Sequence, residues 1–124
     1  MVKVTALTKE EVDGCPIRQV LSQVTGKWQM LIVLALEEDG LRFGALRREI
    51  GDVTQRVLTE NLRKMERDGY LSRTVAAGPP VSVTYALTDL GVELLSHIKP
   101  MVFWAADRHG AIDQNRKSFM SEET

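Results

Sequence analysis

The sequence predicts a mainly α fold with a small β-hairpin: a winged helix-turn-helix continued by a C-terminal dimerisation helix. Three observations carry this expectation. Two short amphipathic segments, LRFGALRREIG and TQRVLTENLRKMERDG, are separated only by Asp52 and Val53, as in a helix-turn-helix. They are followed by YLSRTVAAGPPVSVTYAL, two runs rich in Val, Thr and Tyr broken by a Gly and two Pro, which reads as a hairpin with a loose tip. Last comes a long segment with apolar residues at 91/94/95, 98, 101/102 and 105, at helical spacing.

In chain order, residues 1–14 are a mixed, charged arm without an apolar segment and small-residue cleavage site, which argues against export and for a cytoplasmic location. CPIRQVLSQVTG places Pro16 in a first turn and Ile17, Val20, Leu21 and Val24 on one helical face, with Gly26 as a stop. KWQMLIVLALEEDG follows as the buried central helix; its apolar run from Trp28 to Leu36 is far short of the roughly 18 residues a membrane span requires. In LRFGALRREIG, Phe43, Leu46 and Ile50 point inward and Arg47 and Arg48 outward, and Gly51 ends the helix. The next helix opens on Thr54 as N-cap and buries Val57, Leu58, Leu62 and Met65. Thr88 is the cap expected for the last helix, Pro100 is expected to kink it, and the polar residues 110–124 are expected to fray. Residues 15–109 thus form one domain between an arm and a tail.

Charge distinguishes the function classes better than the net value of −1 does. Residues 1–41 carry 4 Lys/Arg against 6 Asp/Glu, residues 42–73 carry 8 against 5, and residues 74–124 carry 4 against 6. A positive middle between negative ends lets one face approach phosphates. Arg56, Thr59, Arg63 and Arg67 recur at helical spacing opposite Leu58, Leu62 and Met65. Alone, such a helix is more often a solvated face held by ion pairs, here Glu60 with Lys64. Following a short basic helix and preceding a hairpin, it reads as the helix that enters a major groove. Gln55, Arg56 and Thr59 in its first half are then the expected base readers. Arg63 and Arg67 are the expected phosphate contacts, joined by Arg47 and Arg48 from the preceding helix and by Arg42 and Arg73 beside the wing; Thr54 lies at the same surface. The wing tip AAGPPVS holds no Lys or Arg, so a basic tip in the minor groove is not expected.

The last helix carries more apolar surface than one small domain hides. A homodimer interface is therefore expected from Leu94, Ile98, Met101, Val102 and Trp104 together with Ile17 and Leu21. Trp28, Phe103 and Trp104 read as core and dimer contacts rather than a ligand cage, although an effector pocket between dimer helices is open. Cys15 has two readings: a small packed hydrophobe, or a thiol at the positive end of a helix, near Arg18, where thiolate and oxidant reactivity are favoured. One cysteine and two distant histidines, His97 and His109, imply no metal, and nothing implies a cofactor. An enzyme is disfavoured, for there is no Gly-rich phosphate loop and no nucleophile with a base at recognisable spacing. A DNA-binding protein and a winged-helix module that binds other proteins both fit the pattern.

The segments CPIRQVLSQVTGKWQMLIVLAL, RFGALRREIGDVTQRVLTENLRKMERDGYLSRTV, PPVSVTYALTDLG and FWAADRH resemble, in order, the HxlR family of bacterial winged-helix transcriptional regulators, relatives of the MarR group. The resemblance covers residues 15 to 109 and implies a sequence-specific homodimer on palindromic or repeated double-stranded DNA operators. It also implies a small-molecule or oxidant effector, since some members use a cysteine near the N-terminus, here Cys15, as a sensor.

Overall fold

The computed structural model describes residues 16–123. The expected arm and Cys15 lie outside the described residues. Among the described residues the elements follow as α1 (Pro16–Val24), α2 (Lys27–Ala35), β1 (Leu41–Arg42), α3 (Phe43–Ile50), α4 (Gln55–Arg67), β2 (Leu71–Ala76), β3 (Ser82–Leu87) and α5 (Asp89–Glu123).

The core lies where the helical faces converge. Ile32 and Val33 of α2, Leu46 of α3, Leu58 and Leu62 of α4 are essentially inaccessible, and Leu36, Val53, Met65, Leu71, Leu95 and Ile98 complete the cluster. No polar or charged side chain among the described residues is buried. Each such burial contributes roughly 1.5 to 3 kcal/mol of transfer free energy, so these residues fix how the helices face one another.

The sheet has three strands rather than the two expected, in the order β1-β3-β2, all antiparallel. Leu41 and Arg42 had been read as the start of α3; they pair instead with Tyr85 and Thr84. β2 and β3 run in register from Leu71 opposite Leu87 to Ala76 opposite Ser82, and the tip contains a cis peptide between Pro79 and Pro80.

One junction ties α4, the sheet and α5 together. Thr88 caps α5 as expected, its Oγ1 accepting from the Gly91 N–H at 3.2 Å, and the same hydroxyl donates to the Gly69 carbonyl. The Thr88 N–H donates to the Tyr70 carbonyl at 3.1 Å. Gly91 is buried against that carbonyl: a Cβ added there would lie 2.2 Å from Tyr70 O. The first turn of α5 can seat itself on the end of α4 only because residue 91 has no side chain.

One expectation for α5 needs correction. The helix continues through Pro100 and Gly110 to Glu123, so residues 110–123 do not fray; an Asp113–Lys117 pair at 3.1 Å spans one of its last turns. At about 1.5 Å per residue its 35 residues extend roughly 50 Å, far beyond the core that Leu95 and Ile98 enter. Two helices joined by a tight turn, a small antiparallel wing and a long last helix make a winged helix-turn-helix.

Candidate nucleic-acid interface

The turn between α3 and α4 is built from short-range chemistry. Gly51, at φ 99°, leaves the helical path as L side chains rarely do, and its N–H donates to the Arg47 carbonyl at 2.9 Å. Val53 is buried one residue ahead of the cap and joins the same cluster as Leu58, a hydrophobic staple across the helix start. Thr54 Oγ1 accepts from the Val57 N–H at 3.2 Å, which satisfies one of the free donors of the first turn. Arg47 reinforces the turn, its Nε donating to the Val53 carbonyl at 3.1 Å. That bond commits the Arg47 Nε to the protein, while the residue as a whole stays exposed.

With Leu58, Leu62 and Met65 buried, α4 presents Gln55, Arg56, Thr59, Arg63, Lys64 and Arg67 to solvent. Its register on the core is reinforced by a side-chain hydrogen bond from Gln29 of α2 to Asn61, whose amide also donates to the Val57 carbonyl at 2.8 Å. Neither amide had been singled out in the sequence; the signal was a polar residue at a position facing α2.

The exposed cations are not equivalent. Arg56 pairs with Glu60 at 3.1 Å, rather than Glu60 with Lys64, and the two side chains are 88% and 55% accessible. A pair so exposed is worth a few tenths of a kcal/mol and is readily exchanged for a base edge. Thr59 donates its hydroxyl to the Gln55 carbonyl at 2.8 Å and keeps its acceptor lone pairs outward. Arg67 is paired as well. Its Nε and Nη2 hold both Asp68 oxygens at 2.9 and 3.2 Å, and these hydrogen bonds and the adjacent charge raise its pKa above the ordinary value. With the Arg67 side chain 59% accessible, this pair too is a weak surface contact. Arg42 is exposed at the end of β1, Arg48 in the last turn of α3, Arg63 on α4 and Arg73 on β2.

On the far side of the core, the surface is apolar. Ile17 and Leu21 of α1 are 38% and 48% accessible, and Met101 and Trp104 of α5 are 55% and 60% accessible. A groove of about 530 Å³ between α2 and α5 is walled by Met30, Leu31, Leu34, Met101, Val102 and Trp104, with Lys27 at its edge. Leu94 and Val102 are half-buried against the protomer's own core. Ile98, expected at an interface, is 5% accessible and belongs to that core, because the first three turns of α5 bury one stripe internally before the helix leaves the domain. No helix among the described residues is long and apolar enough to cross a membrane, and none of their His, Asp and Glu side chains gather in a group that could hold a metal.

A three-stranded wing, a capped helix bearing an exposed polar face and a staple-locked turn define the chain as a winged helix-turn-helix protein. The sequence matches the family model described as HxlR-like helix-turn-helix over residues 23–113, and the chain belongs to that family. It is 40% identical over 92 residues to the HTH-type transcriptional regulator YtfH of Escherichia coli, covering 74% of this chain and 73% of that one. Among solved structures, the transcriptional regulator ytfH from Salmonella typhimurium superposes with a TM-score of 0.79 at 33% identity, over 85% of this chain and 94% of that one. The redox regulator HypR in its reduced form superposes with a TM-score of 0.74 at 30% identity, over 80% of this chain and 98% of that one.

Proposed function

We propose that the protein is a homodimer that binds a near-palindromic duplex operator, with α4 of each protomer in a major groove. The observation that carries this reading is the division of α4: one face wholly spent on the core, the other carrying Gln55, Arg56, Thr59 and Arg63 with no protein over them. Gln55 and Arg56 at its start meet base edges, while Arg63, Arg42, Arg48 and the terminal nitrogens of Arg47 hold backbone phosphates. The apolar surface of α1 and of α5 from Met101 onward is the face that a second copy covers, which sets the two α4 helices one duplex turn, roughly 34 to 36 Å, apart. An oxidant response through Cys15 belongs to the same reading. Its support is the redox regulator among the similar structures, together with the place of Cys15 directly before Pro16 in the sequence.

A second reading, docking on another protein without DNA, is favoured by the wing, whose Val75 and Val81 are 50% and 65% accessible and whose tip carries no cation. Salt separates the two. If each protomer of the dimer places about four to six cations on phosphates, affinity for duplex of any sequence falls by roughly 10⁴ to 10⁶ between 50 and 200 mM salt. Fluorescence anisotropy of a labelled random-sequence duplex measures this. Absence of binding at low salt, or binding indifferent to salt, supports the protein-docking reading instead.

A further inference from the structure

Between the second half of α4 and the sheet lies a cleft of about 330 Å³ lined by Thr59, Arg63 and Glu66 of α4, Arg73 of β2 and Tyr85 of β3. Its walls are fixed: Arg73 and Tyr85 sit opposite each other in the β2–β3 register, Tyr85 packs on the core, and Thr59 is bonded to its own helix. Two arginines therefore reach one cleft from two separate elements. Neither has an ion pair or side-chain hydrogen bond among the described residues, although the Glu66 carboxylate lines the same space. Arg47, Arg56 and Arg67, by contrast, are each engaged by a protein oxygen. Two guanidinium groups facing one partly enclosed space, against the single Glu66 carboxylate, leave a net positive potential that an anion relieves. Their planar forks suit the tetrahedral oxygens of a phosphate.

We propose that this cleft seats a single backbone phosphodiester of the bound duplex, gripped from one side by Arg63 and from the other by Arg73. The inference rests on the duplex-binding reading above and deepens it. One phosphate held jointly by α4 and the wing fixes the depth and tilt of α4 in the groove without a basic wing tip.

The salt slope tests this, because it counts phosphates neutralised rather than arginines present, at about 0.9 per phosphate. Wild type, Arg63→Ala, Arg73→Ala and the double variant are titrated on one random-sequence duplex. With a shared seat, each single variant weakens binding severalfold, and the double variant flattens the slope by about 1.8 for the dimer, one phosphate per protomer. A flattening of about 3.6, two phosphates per protomer, shows separate contacts and overturns the proposal. So does a single variant that binds as wild type. Free inorganic phosphate is the other source of the same chemistry: thermal protection by phosphate over chloride at equal ionic strength, lost in both single variants, makes the cleft a small-anion site and overturns the proposal as well. Failure of wild type to bind duplex defeats the duplex reading itself, a result distinguishable from all of these.

Discussion

Replacing Gly91 by alanine tests the junction that seats α5 on the rest of the fold. The added Cβ would lie 2.2 Å from the Tyr70 carbonyl oxygen and 3.1 Å from a Leu87 methyl. Relief requires a retreat of about 1 Å, since carbon atoms sit comfortably near 3.5 Å from their neighbours. That retreat acts on the Thr88 N–H bond to the same Tyr70 carbonyl, now 3.1 Å long. Losing that bond costs about 1 kcal/mol, and overpacking against backbone about 1 to 3 more. Alanine's better helix propensity returns up to about 1 kcal/mol. The net is a destabilisation of about 2 kcal/mol, or a Tm lower by roughly 5 to 15 °C for a chain of this size. Gly44→Ala is the control. Its Cβ would meet only the Arg48 guanidinium, at 3.5 Å, so the same exchange inside α3 stabilises by about 0.5 to 1 kcal/mol. Urea unfolding at one fixed protein concentration, followed by far-ultraviolet circular dichroism, measures both. If Gly91→Ala unfolds at the wild-type midpoint, or if both variants move the same way, the steric account of the junction is refuted.

Four further outcomes are expected. Thr54→Ala removes the acceptor for the Val57 N–H and costs about 1 kcal/mol in the same urea experiment; an unchanged midpoint shows that water replaces the cap without loss. Arg56→Ala alters preference among bases by roughly 1 to 3 kcal/mol at one base pair, whereas Arg48→Ala weakens all duplexes alike; competition between selected and random duplexes distinguishes the two. Trp104→Asp, at a residue 60% accessible, shifts sedimentation from dimer to monomer at low micromolar concentration while helicity is retained; a persistent dimer places the interface elsewhere. Cys15→Ser abolishes any change in duplex affinity caused by mild oxidant, and identical responses of variant and wild type assign that cysteine a packing role.

Much of this architecture was legible because local chemistry and global packing agree. The spacing of Leu58, Leu62 and Met65, the caps Thr54 and Thr88, and the stop at Gly51 each depend on near neighbours in the chain, and the structure places all of them as their residue types require. What stayed hidden depends on distant partners. β1 is two residues long, too short for alternation to register, and exists because β3 offers Leu41 and Arg42 a free edge. Ile98 and Met101 look alike in periodicity; only the path of α5 over the core decides that the first is buried and the second is bare. The polar run after Gly110 reads as a tail, yet it contains no proline, and its Asp113–Lys117 spacing supports continued helix. Among the arginines, the differences lie in side-chain geometry: Arg67 turns to its immediate neighbour Asp68, a pairing that the familiar three- and four-residue spacings do not suggest. Arg63 and Arg73, ten positions apart in sequence, meet at one cleft only once the wing has folded back beside α4.

The central claim, a two-fold protein reading duplex DNA through a pair of α4 helices, is tested most directly by selecting bound duplexes from a random pool with the purified full-length protein. The account predicts enrichment of two related half-sites in inverted orientation, their centres roughly 10 base pairs or a multiple apart. Loss of preference at one position of each half-site in Arg56→Ala would place that arginine on its base pair. A pool that emerges without enrichment, or with a single asymmetric site, would contradict the account.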